Sequence, residues 1–165
     1  MTNGRRNGAD AERELAARIA ALTGVRLVRR LDQVRAGGHD LEPDVGDTSD
    51  AAAALRRLAL EVKRRRAITD ADVARWWTEE AVPQARAAGL LPALATRADR
   101  APWRLVLPLA LFSEALPEVP ATFALEALPE LLEHVGAEAA HEPRPAARAA
   151  TIDGAADHDP GSRPP

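Results

Sequence analysis

The stretch from Leu58 to Arg64 alternates between apolar and polar side chains, and this alternation constrains the fold more than any other feature of the chain. In an extended backbone successive side chains point to opposite faces. Leu58, Leu60 and Val62 therefore fall on one side, and Ala59, Glu61 and Lys63 on the other. The apolar side has to lie on a core, and the other side then presents a carboxylate and an amine two residues apart. Alternating charges are common on exposed strands, so Glu61 and Lys63 say little by themselves. Composition adds a second fact. Of the 22 basic residues 21 are arginine, and Lys63 is the single lysine. Arginine stays protonated, whereas a lysine amine can shift its pKa and take part in proton chemistry.

The rest of the pattern surrounds this strand with helices. Ala9 to Leu22 places Leu15, Ile19 and Leu22 at helical spacing, with Asp10 as the candidate N-cap, and Thr23-Gly24 ends it. Val25 to Leu31 reads as a strand, and Ala36-Gly37-Gly38-His39-Asp40 as a loop. Pro43 to Gly46 fits a short strand or a strand end. Ser49 to Arg57 is compatible with a short helix or a hairpin, and its alanine run does not decide between them. Asp70 to Ala88 reads as a second amphipathic helix, with Val73, Trp77, Ala81, Gln84 and Ala88 near one stripe and Pro83 expected to kink or divide it. Trp76, Trp77 and Trp103 are expected in the core rather than stacked on bases. Pro92 to Thr96 and Trp103 to Leu107 read as two more strands, and Leu125 to Val135 as a last helix. This order predicts a mixed α/β domain in which a sheet packs on helices. From Gly136 onward there is little to bury, so residues 1–135 are expected to form one domain and residues 136–165 a disordered tail.

Several function classes are excluded. The chain has no cysteine, which rules out disulfides, zinc–thiolate sites and cysteine nucleophiles. No apolar run approaches the ~20 residues that span a bilayer, and residues 1–10 lack the apolar segment of a signal peptide. A soluble, cytoplasmic protein with no membrane partner is expected. The net charge of −3 conceals an asymmetry: residues 1–108 carry 19 Lys+Arg against 15 Asp+Glu, and residues 109–165 carry 3 against 10. The first part has the charge balance to face phosphates.

A second acid gives Glu61 and Lys63 chemical meaning. Asp44 follows a proline in a neighbouring strand-like segment after a Gly-rich turn. Phosphodiester hydrolysis needs a cation to neutralise the phosphate and generate a nucleophile near neutral pH. Magnesium takes hard oxygen ligands, usually one or two carboxylates with waters and phosphate oxygens. Asp44 and Glu61 supply such a pair, and the Val62 carbonyl is a further candidate ligand. Lys63 is placed to orient the attacking water or to stabilise charge on the phosphate. Mg2+ or Mn2+ is the expected cofactor.

Pro43-Asp44 followed by Glu61-Val62-Lys63 resembles the bipartite motif of the PD-(D/E)xK nuclease superfamily. Within it the chain is similar to small phage and prophage endonucleases related to Holliday junction resolvases. Their N-terminal Gly-x3-Glu-x-Glu-Leu helix has its counterpart in Gly8 to Leu15. Their Trp and Gln-Ala helix has its counterpart in Trp76-Trp77 and Gln84-Ala85, and their Trp-containing strand in Arg100 to Leu107. The resemblance covers roughly Gly4 to Leu109. It implies a restriction-endonuclease-like mixed β-sheet flanked by helices, with Asp44 and Glu61 as principal metal ligands, Glu12 reaching the metal directly or through water, Lys63 acting on the water or phosphate, and Gln84 lining the site. The stretch from Asp44 to Glu61 is long and alanine-rich, so the two strands need not pair simply, and Asp40 is the alternative ligand. His39 beside it has no zinc-site spacing.

Basic residues surround these positions in sequence: Arg29, Arg30 and Arg35 before them, and Arg64, Arg65 and Arg66 directly after Lys63. Arginines suit phosphate contacts, which give affinity without reading sequence. The expectation is a metal-dependent DNA endonuclease, with branched DNA as a candidate substrate and a homodimer as a candidate assembly. The alternative is a non-catalytic nucleic-acid-binding module that keeps the fold.

Overall fold

The computed structural model describes residues 3–29, 41–112 and 119–141. Helix α1 spans Asn3–Thr23, and strands β1 (Leu27–Arg29) and β2 (Leu41–Pro43) follow as an antiparallel pair. Helix α2 (Asp50–Leu55) leads into β3 (Leu58–Arg65). Next come α3 (Asp70–Trp76), a π-helical turn (Trp77–Ala81) and α4 (Val82–Ala88). Strands β4 (Leu91–Ala98) and β5 (Arg104–Pro108) lead to β6 (Pro120–Ala124) and helix α5 (Leu128–His141).

Strands β3 to β6 form one mixed sheet in sequence order, with β3–β4 parallel and the other pairs antiparallel. Its two faces are covered by different helices. On one face Leu58, Leu60, Ala93, Ala95, Leu105 and Leu107 share a core with Leu15 and Ile19 of α1 and with Leu128, Leu131 and Val135 of α5. On the other, Leu94 and Val106 meet Trp76, Trp77 and Ala81. This is the mixed α/β sheet flanked by helices that the sequence predicts. Trp76, Trp77 and Trp103 are all buried, as expected.

Three local expectations change and one open reading is settled. Helix α1 begins at Asn3, because residues 3–9 contain no proline and continue the helix without showing an apolar stripe. Asp10 is therefore an interior residue paired with Arg13, not an N-cap. Within Ser49–Arg57, left open between helix and hairpin, Asp50–Leu55 is a helix: the Ser49 hydroxyl accepts from the Ala52 amide and caps α2. Strand β6 was not expected. It is an edge strand with a leading proline; Pro120, Thr122 and Ala124 are exposed, and Phe123 is the single large apolar residue on its partly buried face, so the sequence carries little strand signal. Helix α5 runs past Gly136 to His141; residues 142–165, which make up most of the expected tail, lie outside the described residues.

Thr69 caps α3 through a capping box with Asp72, each satisfying a backbone N–H of the other end. Thr69→Ala should cost about 1 kcal/mol and lower the melting temperature by roughly 2–4 °C for a chain of this size. An unchanged melting curve would show that the cap contributes nothing to global stability.

Candidate active site

The pleat of β3 that sends Leu58 and Leu60 into the α1 core sends Glu61 and Lys63 to the opposite face. Val62 lies between them, its side chain packed on the α1 side. Because β3 and β4 are parallel, the chain has to cross the sheet to return. The crossing segment is α3, the π turn and α4, and it covers the face that carries Glu61 and Lys63. Topology thus decides which helix meets the lysine.

That helix brings a third charged residue, Glu80. The Lys63 Nζ donates to Glu61 Oε1 at 2.7 Å and also to Glu80 Oε2. The Lys63 side chain is 13% exposed and that of Glu61 17%, whereas Glu80 is 43% exposed. Burial alone would lower the lysine pKa. The hydrogen bonds and charges of Glu61 and Glu80 more than offset it and hold the amine above its ordinary value. Lys63 is therefore a fixed ammonium through the neutral range.

The π turn explains the placement. The Val82 N–H bonds the Trp77 carbonyl, five residues back, immediately before Pro83, whose ring would crowd the carbonyl of a regular α-helix. Helical backbone nevertheless runs without interruption from Asp70 to Ala88, so the proline is accommodated by the π turn before it rather than dividing the helix. Glu80 was missed from sequence, although it lies three residues after Trp77 and four before Gln84. That spacing puts all three near one helical stripe and is the signal that could have found it.

Gln84 lies about one turn beyond Glu80, on a helix packed against β3 and β4, and its Oε1 is buried without a hydrogen-bond partner. Glu12 is buried on α1. Asp44 lies in the turn after β2, where its Oδ1 accepts from the Gly46 amide at 3.2 Å and its own amide bonds the Arg26 carbonyl. Arg56 staples this turn by donating to the carbonyls of Asp44 and Asp47 at 2.7 and 2.6 Å. Asp47 caps Ser49, and those side-chain and backbone hydrogen bonds hold its carboxyl below the usual range. Strands β2 and β3 are not paired, in line with the long connection between them. The structure thus joins Glu61, Lys63 and Glu80. Asp44 bonds its own turn, and among the described residues no three Asp, Glu or His side chains form a metal-holding group.

The arginines divide. Arg64 emerges on the α1 face, near Glu14 and Asp99, each at 3.6 Å. Arg65 emerges on the Lys63 face and lies 5.8 Å from the Trp76 ring centre, with Arg75 at 5.9 Å from the same ring. Arg66 is exposed. Nothing is described of the Arg29 side chain, and Arg30, Arg35, His39 and Asp40 lie outside the described residues. The donors available are carboxylate, amide and carbonyl oxygens, in a chain without thiols, and one buried amide oxygen lacks a partner. By chemistry, though not as a gathered cluster among the described residues, these oxygen donors suit a hard divalent cation.

A family model described as "Phage putative PDDEXK endonuclease" matches residues 3–126. The chain belongs to this family. It is therefore a nuclease of the PDDEXK type, and the matched span includes every site residue named above. Among solved structures the chain is similar to the Holliday junction resolvase Hjc of the hyperthermophile Archaeoglobus fulgidus. The identity is 21% and the TM-score 0.38, over 75% of this chain and 88% of that one. No match was found among curated proteins. No described helix is long and apolar enough to cross a membrane.

Proposed function

We propose that this nuclease is a divalent-cation-dependent endodeoxyribonuclease centred on Asp44, Glu61 and Lys63. The observation that carries the reading is the arrangement on β3: the only lysine of the chain, largely buried and tied to a carboxylate of its own strand. Asp44 and Glu61, with the Val62 carbonyl, would hold Mg2+ or Mn2+, Glu12 would assist directly or through a water, and Gln84 would line the site. When bound, the cation supplies phosphate neutralisation and a nucleophilic water.

Lys63 would contribute a positioned positive charge, since its Nζ is tied to both Glu61 and Glu80. Its ammonium offsets charge that develops on the phosphate. Arg65, Arg66 and Arg75 suit backbone contacts on the same side, with Arg29, Arg30 and Arg35 as further candidates. Arg64, on the opposite face beside two carboxylates, suits a scaffold role. A cytoplasmic location and a homodimer complete the reading, since a branched junction presents two strands to two copies of one site.

The test is incubation of the purified protein with magnesium and a panel of duplex, flap and four-way-junction DNA. Cleavage of at least one member is expected. Binding by gel shift without cleavage of any member would overturn the enzymatic reading and leave the non-catalytic binding module.

A further inference from the structure

We propose that Glu80 is a positioning residue of the active site: its carboxylate holds the Lys63 ammonium in place while Glu61 is committed to a cation. The inference rests on the proposed function. Glu61 has two demands on one carboxylate. Its Oε1 accepts from Lys63, and as a cation ligand it would also have to direct electron density away from the lysine. An ammonium sharing its only anchor with a divalent cation is repelled by that cation and has a flexible four-carbon stem on which to retreat. A second anchor on a different element removes the conflict. Glu80 supplies it from the crossing helix, an element separate from β3.

The backbone shows what this placement requires. The π turn Trp77–Ala81 adds a residue to the helical turn that carries Glu80, while Trp77 and Ala81 on either side of it stay buried against Leu94 and Val106. The turn is thereby fixed by packing, and the carboxylate is presented from a rigid support. Glu79, next in sequence, is exposed and has no described bond. Glu80 itself is 43% exposed, so its replacement leaves the core intact.

The single lysine makes the test direct, because protein labelled with 15N- and 13C-lysine gives one Nζ and one Cε signal. Glu80→Gln keeps the size and removes the charge. The proposal expects the lysine signals to shift and their amine protons to exchange faster in Glu80→Gln. It expects kcat on the preferred DNA to fall about 10- to 100-fold, the scale of losing an outer partner of a metal site, with KM little changed and Glu80→Asp recovering part of the loss. Manganese affinity should stay near that of the wild type. Unmoved lysine signals, or moved signals with a wild-type kcat, would overturn the proposal. A fall in manganese affinity as large as that of Glu61→Gln would also overturn it, by making Glu80 a ligand. If the wild type cleaves no DNA the nuclease reading fails instead, and the lysine spectrum separates the two failures.

Discussion

Lys63→Arg is expected to lower the single-turnover cleavage rate at least roughly a hundredfold, the scale of removing one preorganised charge from a transition state, while leaving DNA affinity nearly unchanged. The substitution keeps the charge, so any attraction to phosphate at long range persists. What it changes is shape. Lys63 is a compact ammonium in a slot 13% exposed, donating to Glu61 and Glu80 together. A guanidinium is planar and longer, and it bonds carboxylates as a fork. It can satisfy both acids only by moving its charge away from the point the ammonium occupies. The sequence alone leaves open whether the amine orients the attacking water or stabilises charge on the phosphate. The two carboxylates argue for a fixed charge, and the loss on substitution then follows from geometry. Binding would be measured by gel shift in calcium and cleavage in magnesium on the same DNA. Wild-type cleavage by Lys63→Arg would make the single lysine an accident of composition.

Glu61→Gln should reduce cleavage in magnesium by a similar factor or more, but by another route. An amide oxygen is a neutral and weaker ligand for a hard cation than a carboxylate. Loss of the cation's charge neutralisation is worth several kcal/mol of transition-state stabilisation, and each 1.36 kcal/mol is tenfold in rate. The defect should therefore be one of cation occupancy, and excess manganese should restore part of the activity. Lys63→Arg should show no such restoration, because its ligands are intact. A Glu61→Gln protein that is rescued no better than Lys63→Arg would show that Glu61 is not a ligand.

Much of the fold was legible because its strongest signals are periodic. The alternation of β3, the helical spacing of Leu15 and Ile19, and the amphipathic stretch from Asp70 to Ala88 each correspond to an observed element. The unread parts are those where local pattern is weak. Strand β6 is an edge with one face exposed and a single large apolar residue, Phe123, on the other, and the sequence of the first turns of α1 is polar all round. In the site, Glu61 and Lys63 could be read as neighbours because a strand fixes them on one face. Glu80 reaches Lys63 only through the parallel β3–β4 connection and the π turn, and neither is written in any local stretch of sequence. Asp44 is the converse case. Its motif is plain in the sequence, while its position depends on a turn tied down by Arg56 twelve residues later.

The central claim is that a divalent cation held at this site drives cleavage. Its most direct measurement is cleavage of the preferred DNA by protein stripped with EDTA, followed by the return of magnesium or manganese. The account predicts no cleavage in chelator and recovery on adding either ion, since the candidate ligands are hard oxygens. Cleavage that continues undiminished in EDTA would contradict it.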